Sequence, residues 1–115
     1  MQTTSLDATL GALSDPTRRA ILARLAQGEA TVGELAAPFP ISQPAVSRHI
    51  KVLTEAGLIL QRVDGTKRPC RLAPHGLDSL EDYLETLRRG LEKNYERLDL
   101  ILAARNDGAS PIRRK

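Results

Sequence analysis

The sequence predicts a mainly α-helical domain with one small β-hairpin and a long C-terminal helix. Three observations lead there. Helix-starting and helix-stopping residues punctuate the first half of the chain at short intervals. The hydrophobic period then changes from helical to alternating around Asp64-Gly65. Beyond that point, leucine recurs at spacings of three and four through residues 77–104.

The elements follow in order. Leu6, Leu10 and Leu13 fall at i, i+4 and i+7, which predicts a short amphipathic helix over 5–13. Ser14-Asp15-Pro16 reads as the start of a second helix. Asp15 supplies the cap, and Pro16 sits where its missing N–H costs nothing. Ile21, Leu22 and Leu25 form the buried face of this helix, and Gln27-Gly28 stops it. Thr31 and Glu34 have the spacing of a capping box and open a short third helix that Pro38 and Pro40 must end.

A fourth helix spans 42–56. It starts at Ser42 and tolerates Pro44 in its first turn. Val46, Ile50 and Leu53 make its apolar stripe, and Gly57 serves as a left-handed cap. Its other face presents Gln43, Ser47, Arg48, Lys51 and Thr54. Residues 58–73 then alternate in period two on either side of Asp64-Gly65-Thr66-Lys67, a hairpin turn. Pro69 in the return strand argues for an edge position there.

Residues 77–104 read as one helix of about 42 Å at ~1.5 Å per residue. Leu77, Leu80, Leu84, Leu87, Leu91, Leu98 and Ile101 line one side, and Asn94 takes the site that the repeat skips. That stripe is longer than a small domain needs to cover itself, so a helix from a second copy is its expected partner. Asn94 would then set the register by pairing with its symmetry mate.

The chain of 115 residues suits one domain over 1–104, followed by a basic tail over 105–115 expected to be frayed. The net charge of +3 is unevenly placed. Arg62, Lys67, Arg68 and Arg71 against Asp64 give residues 58–76 a net +3, whereas residues 77–104 carry net −3. A local basic surface of this kind suits an anionic partner, with nucleic acid first among candidates.

Other classes are excluded. No apolar run approaches the ~20 residues of a membrane helix, and the first residues lack the features of a secretory signal. A lone Cys70 forms no internal disulfide, which fits a reducing cytoplasm. Cys70 reads as a small buried hydrophobe rather than a redox switch. Phe39, Tyr83 and Tyr95 are too few aromatics for a base-stacking platform. No Ser-His-Asp, paired-carboxylate or Gly-rich phosphate motif marks an enzyme, and no catalytic residue is assigned.

A short helix, a helix with a polar donor face and a basic hairpin together form the winged helix-turn-helix plan. The helix 42–56 suits a major groove about 12 Å wide, with double-stranded DNA as partner. Arg48 can make paired bonds to guanine, and Gln43 can make them to adenine. Ser42 and Ser47 allow close approach of the backbone and offer hydroxyls. In the wing, Arg62, Thr66, Lys67 and Arg68 face the phosphates. His49 either touches DNA or packs half-buried against the third helix. Arg18 and Arg19 could touch the DNA backbone, but a solvated face or an ion pair is the more usual role for them, and His75 suits a solvated linker or helix-start residue.

Residues 13–22 (Leu13-Ser14-Asp15-Pro16-Thr17-Arg18-Arg19-Ala20-Ile21-Leu22) resemble the opening of ArsR-type winged-helix repressors. So do Ile41-Ser42-Gln43-Pro44-Ala45-Val46-Ser47-Arg48-His49-Ile50-Lys51-Val52-Leu53 and the following Glu55-Ala56-Gly57-Leu58-Ile59. The resemblance runs over roughly residues 6–104. It implies a homodimeric transcriptional repressor that binds an imperfect palindrome, with the first and last helices as dimer interface. Leu6 and Leu10 then join Leu80, Leu84, Leu87, Leu91, Asn94, Leu98 and Ile101 in that interface. By position, Ser42, Gln43, Ser47, Arg48 and His49 match the DNA-reading set.

Many relatives in that family bind metals through a Glu-Leu-Cys-x-Cys stretch in the third helix, or through Asp and His pairs in the last. Here the first stretch reads Glu34-Leu35-Ala36-Ala37-Pro38, and residues 77–104 hold no histidine. A soft-metal site needs several matched Cys or His ligands, so no metal or other cofactor is expected. Two further readings stay open: a derepressor that answers to a small molecule or a metal, and a winged module that binds protein without DNA.

Overall fold

The computed structural model describes residues 6–105; the tail over 106–115 lies outside the described residues. The chain divides into two compact units, one ending at Leu80 and the other starting at Glu81. The first holds helices α1 (Leu6–Leu13), α2 (Pro16–Leu25), α3 (Val32–Ala36) and α4 (Gln43–Glu55), with strands β1 (Ala30–Thr31), β2 (Ile59–Gln61) and β3 (Pro69–Leu72). Helix α5 (Asp78–Arg105) begins in this unit and supplies all the described helix of the second. The mainly helical class with a small β-element and a long last helix is as the sequence predicts.

The helix ends are built as their residues dictate. The Asp15 carboxylate caps α2 by accepting the Arg18 N–H at 3.0 Å, with Pro16 at the first helical position. Thr31 and Glu34 form the reciprocal capping box of α3. Ser42 caps α4 by accepting the Ala45 N–H at 3.2 Å. Gly57 follows α4 at φ +80°, a region that a side chain rarely enters.

The core gathers one face of each element. Ile21 and Leu25 of α2, Leu35 of α3, Val46, Ile50 and Leu53 of α4, and Leu58, Ile59 and Cys70 around the hairpin are all buried. Full burial of an aliphatic side chain contributes roughly 1.5–3 kcal/mol. The three inward residues of α4 therefore anchor that helix firmly and leave its other face free.

One expectation is corrected. The sheet has three strands in the order β1-β3-β2, so β3 is central and Pro69 is not on an edge. Pro69 pairs with Thr31 on one side, and its carbonyl accepts the Arg62 N–H at 3.0 Å on the other. Proline is tolerated there because it opens the strand and serves the ladder as an acceptor. The two-residue β1 is too short to show alternation. In α1 the residues turned to the core are Thr9 and Ala12, and Leu10 stays 41% exposed. Leu13 packs against the core and Leu6 is half-buried, so of the three leucines of the stripe Leu10 alone is exposed.

The hairpin turn is as predicted. Asp64 and Lys67 exchange backbone hydrogen bonds of 3.0 Å, and Gly65 takes φ +65°. Glycine at the first central position suits a turn whose twist matches the strands. In the second unit, Leu84, Leu87, Leu91 and Ile101 remain about half exposed, at 52%, 45%, 48% and 49%. Asn94 is exposed and Leu98 half-buried. Glu85 holds Arg88 and Arg89 along that helix.

Candidate nucleic-acid interface

Helix α4 carries the predicted polar face outward. Gln43, Pro44, Ser47, Arg48 and Lys51 are exposed, while Val46 and Ile50 between them are buried. Among the described residues, the Arg48 and Lys51 side chains have no hydrogen-bond or ion-pair partner, so both charges are available to an anion. The Ser42 oxygen is engaged as the α4 cap, which leaves its O–H free to donate.

The turn of the wing meets this helix. Gln43 and Ser47 of α4 line one cleft of about 420 Å³ together with Thr66, Lys67 and Arg68 of the wing and Thr31, Val32 and Gly33 at the head of α3. Residues about twenty positions apart are therefore brought to one concave, cationic surface. Lys51 lies along the adjoining groove with Ser47, Thr54 and Gln61.

Three predicted residues have partners that the sequence did not disclose. Arg62 grips the Glu29 carboxylate with both arms, Nε to Oε2 at 3.1 Å and Nη2 to Oε1 at 2.9 Å. The Arg62 hydrogen bonds hold the Glu29 carboxyl below the usual carboxylate range, and Glu29 in turn raises Arg62. Arg68 folds over the turn, with Nη1 donating to the Lys67 carbonyl at 3.0 Å. Lys67 thus presents the least encumbered charge of the wing tip.

His49 is half-buried, and its partners are in α2 and its cap rather than α3. Its Nδ1 lies 3.3 Å from Arg18 Nη1 and 4.0 Å from Asp15 Oδ2. The Glu29–Arg62 and Arg18–His49 pairs span 33 and 31 residues, and no local pattern connects such positions. Cys70 is fully buried; its thiol donates to the Arg68 carbonyl at 3.6 Å, and burial pushes its pKa up. A buried, protonated thiol is a packing residue. Among the described residues, no three His, Cys, Asp or Glu side chains cluster as a metal site, and no helix is long and apolar enough to cross a membrane.

Comparison with known proteins agrees with this geometry. A family model described as a helix-turn-helix domain matches residues 13–62. The chain is 51% identical over 81 residues to the HTH-type transcriptional regulator Rv2034 of Mycobacterium tuberculosis, covering 70% of this chain and 76% of that one. It is 48% identical over 48 residues to the transcriptional repressor SdpR of Bacillus subtilis, where the match covers 42% of this chain and about half, 53%, of the relative. A crystal structure of an ArsR family transcriptional regulator superposes with a TM-score of 0.72 at 38% identity, covering 76% of this chain and 96% of the other.

Proposed function

Since the chain belongs to the ArsR family of winged helix-turn-helix transcriptional regulators, we propose that it is a homodimeric repressor binding a palindromic operator through α4 and the wing. The single observation that carries this reading is the shared cleft of Gln43, Ser47, Thr66, Lys67 and Arg68. A groove-filling helix flanked by a phosphate-facing hairpin is what duplex recognition requires.

In this reading Gln43, Ser47 and Arg48 meet base edges, with Ser42 and Pro44 beside them in the first turn. Lys51, Thr66, Lys67 and Arg68 meet phosphates. Arg62 braces the wing through Glu29 while its exposed face stays near the backbone. His49 supports the helix from behind.

Dimerisation is supported by two leucine rows, in which Leu10, Leu84, Leu87, Leu91 and Ile101 are exposed and Leu6, Leu80 and Leu98 half-buried. One is Leu6 and Leu10 of α1. The other is Leu80, Leu84, Leu87, Leu91, Leu98 and Ile101 of α5, with Asn94 setting register. Two copies related by a twofold axis place their α4 helices in successive major grooves about 34 Å apart, which calls for a palindrome. Binding there would occlude RNA polymerase.

The test is selection of bound duplexes from a random pool by the full chain, with sedimentation alongside. A dimer that enriches a palindrome with half-sites one helical turn apart is expected. A monomer that retains no duplex would sink the proposal. Repeating the selection with metals and small molecules examines a derepressor role.

A further inference from the structure

Arg18 is bound in three directions at once. Its Nε donates to the Ala12 carbonyl at 2.8 Å and its Nη2 to the Gly11 carbonyl at 3.1 Å. Both acceptors belong to the last turn of α1, whose carbonyls have no partner within their own helix. The remaining arm, Nη1, faces His49 Nδ1 of α4 at 3.3 Å. A guanidinium carries donors only, so this contact is a hydrogen bond in the tautomer whose Nδ1 accepts. Asp15 closes the ring: its Oδ2 accepts the Arg18 backbone N–H at 3.0 Å and lies 4.0 Å from the same imidazole nitrogen.

We infer that Arg18 is a positioning residue for DNA reading, fixing the rotation of α4 through His49 and tying it to the end of α1. The inference rests on the proposed reading that α4 enters the major groove. Val46, Ile50 and Leu53 hold α4 to the core along a single apolar stripe. Apolar contact is non-directional, so such a stripe resists withdrawal better than it resists rolling. A hydrogen bond on the flank resists rolling. His49 adjoins Arg48, so fixing the imidazole fixes the direction in which Arg48 leaves the helix. A paired contact to a base needs its donors within about 0.5 Å and 10–20° of their productive place. Arg18 both bonds the last turn of α1 and faces α4. A displacement of α1 can therefore reach the reading helix through this guanidinium as well as through the shared core.

The experiment uses the full chain, the duplex it selects from a random pool, and a scrambled duplex of equal length. Arg18→Lys keeps the charge but replaces a rigid fork with a point donor. His49→Leu keeps bulk without an acceptor, and His49→Gln restores an acceptor. Arg18→Lys and His49→Leu should each lower affinity for the selected duplex about tenfold, and for the scrambled duplex by less than about twofold. The double variant should lose no more than the weaker-binding single, and His49→Gln should return to within about threefold of the parent. Additive losses in the double variant would show that His49 acts on DNA independently of Arg18 and overturn the link. Equal losses on both duplexes, or none, would overturn it too. Arg48→Ala isolates the underlying reading. If that variant keeps full affinity, α4 is not the reading element. If it alone loses affinity, only the Arg18 link fails. Should Arg18→Lys unfold by circular dichroism, His49→Gln against His49→Leu decides, and equal affinities reject the inference.

Discussion

The Arg62 guanidinium lies fork-to-fork against the Glu29 carboxylate, with contacts of 2.9 and 3.1 Å joining the wing to the segment before β1. The Arg62 charge is therefore already paired with an acid of its own chain. Glu29→Ala should free that charge for a phosphate and steepen the dependence of log K on log salt by about 0.9 per subunit. Binding titrations across a salt series measure this. An unchanged slope would mean that Arg62 stays away from the backbone even when released.

Arg48 and Lys67 should respond differently to truncation. Arg48→Ala should cost about 1–3 kcal/mol on the selected duplex and relax preference at one base pair. Lys67→Ala should weaken all duplexes alike and flatten the salt slope. Gel-shift titrations on matched and mismatched duplexes distinguish the two.

Gly76 is held in a close approach. A β-carbon there would lie 2.6 Å from the Gly57 carbonyl oxygen and 3.0 Å from Leu58 Cα, both backbone atoms that cannot swing aside. Gly76→Ala should destabilise the domain by about 1–3 kcal/mol, as overpacking does. Urea unfolding measures the loss, and an unchanged midpoint would contradict the contact.

Acid should loosen the domain through its caps. Asp15 is held below the usual carboxylate range chiefly by the Arg18 N–H, Glu34 by Thr31, and Glu29 by Arg62. A carboxyl whose folded pKa is depressed contributes stability above its unfolded pKa, and that contribution disappears as pH falls through the folded value. The urea midpoint should hold level at neutral pH and drop below the ordinary carboxylate range. Asp15→Asn should blunt the drop.

Cys70 should be silent to thiol reagents in the native state. It is fully buried, and burial raises its pKa. Dithionitrobenzoate should label it only as fast as the domain opens, and labelling that follows urea unfolding confirms this. Rapid native labelling would refute it.

What could be read from the sequence depended on range. Asp15-Pro16, Thr31 with Glu34, Ser42 and Gly57 each act within four residues, so the helix ends were legible in them. Asp64-Gly65 marked its turn for the same reason. The polar face of α4 followed from a period of 3.6 around Val46, Ile50 and Leu53. Strand β1 was not legible, because two residues show no period, and its pairing with Pro69 and Cys70 reaches across the chain. Nor were the partners of Arg62 and His49, which depend on the fold bringing Glu29 and Arg18 to them. The row Leu6 and Leu10 was visible as apolar, but not which face of α1 the protomer would bury. Thr9 and Ala12 take that place because small side chains let the helix lie close.

Thr31 belongs to two structures at once: it ends β1, beside Pro69, and it caps α3. The wing and the helix-turn-helix therefore share a residue, and neither can be lengthened from that point without loosening the other. Changes of length in related chains should accumulate between Val63 and Arg68, at the free tip of the hairpin. The stretch from Gly28 to Val32 should keep its count of residues while its side chains vary. The reach of the wing along a duplex is thus open to adjustment, but the place from which it springs is not.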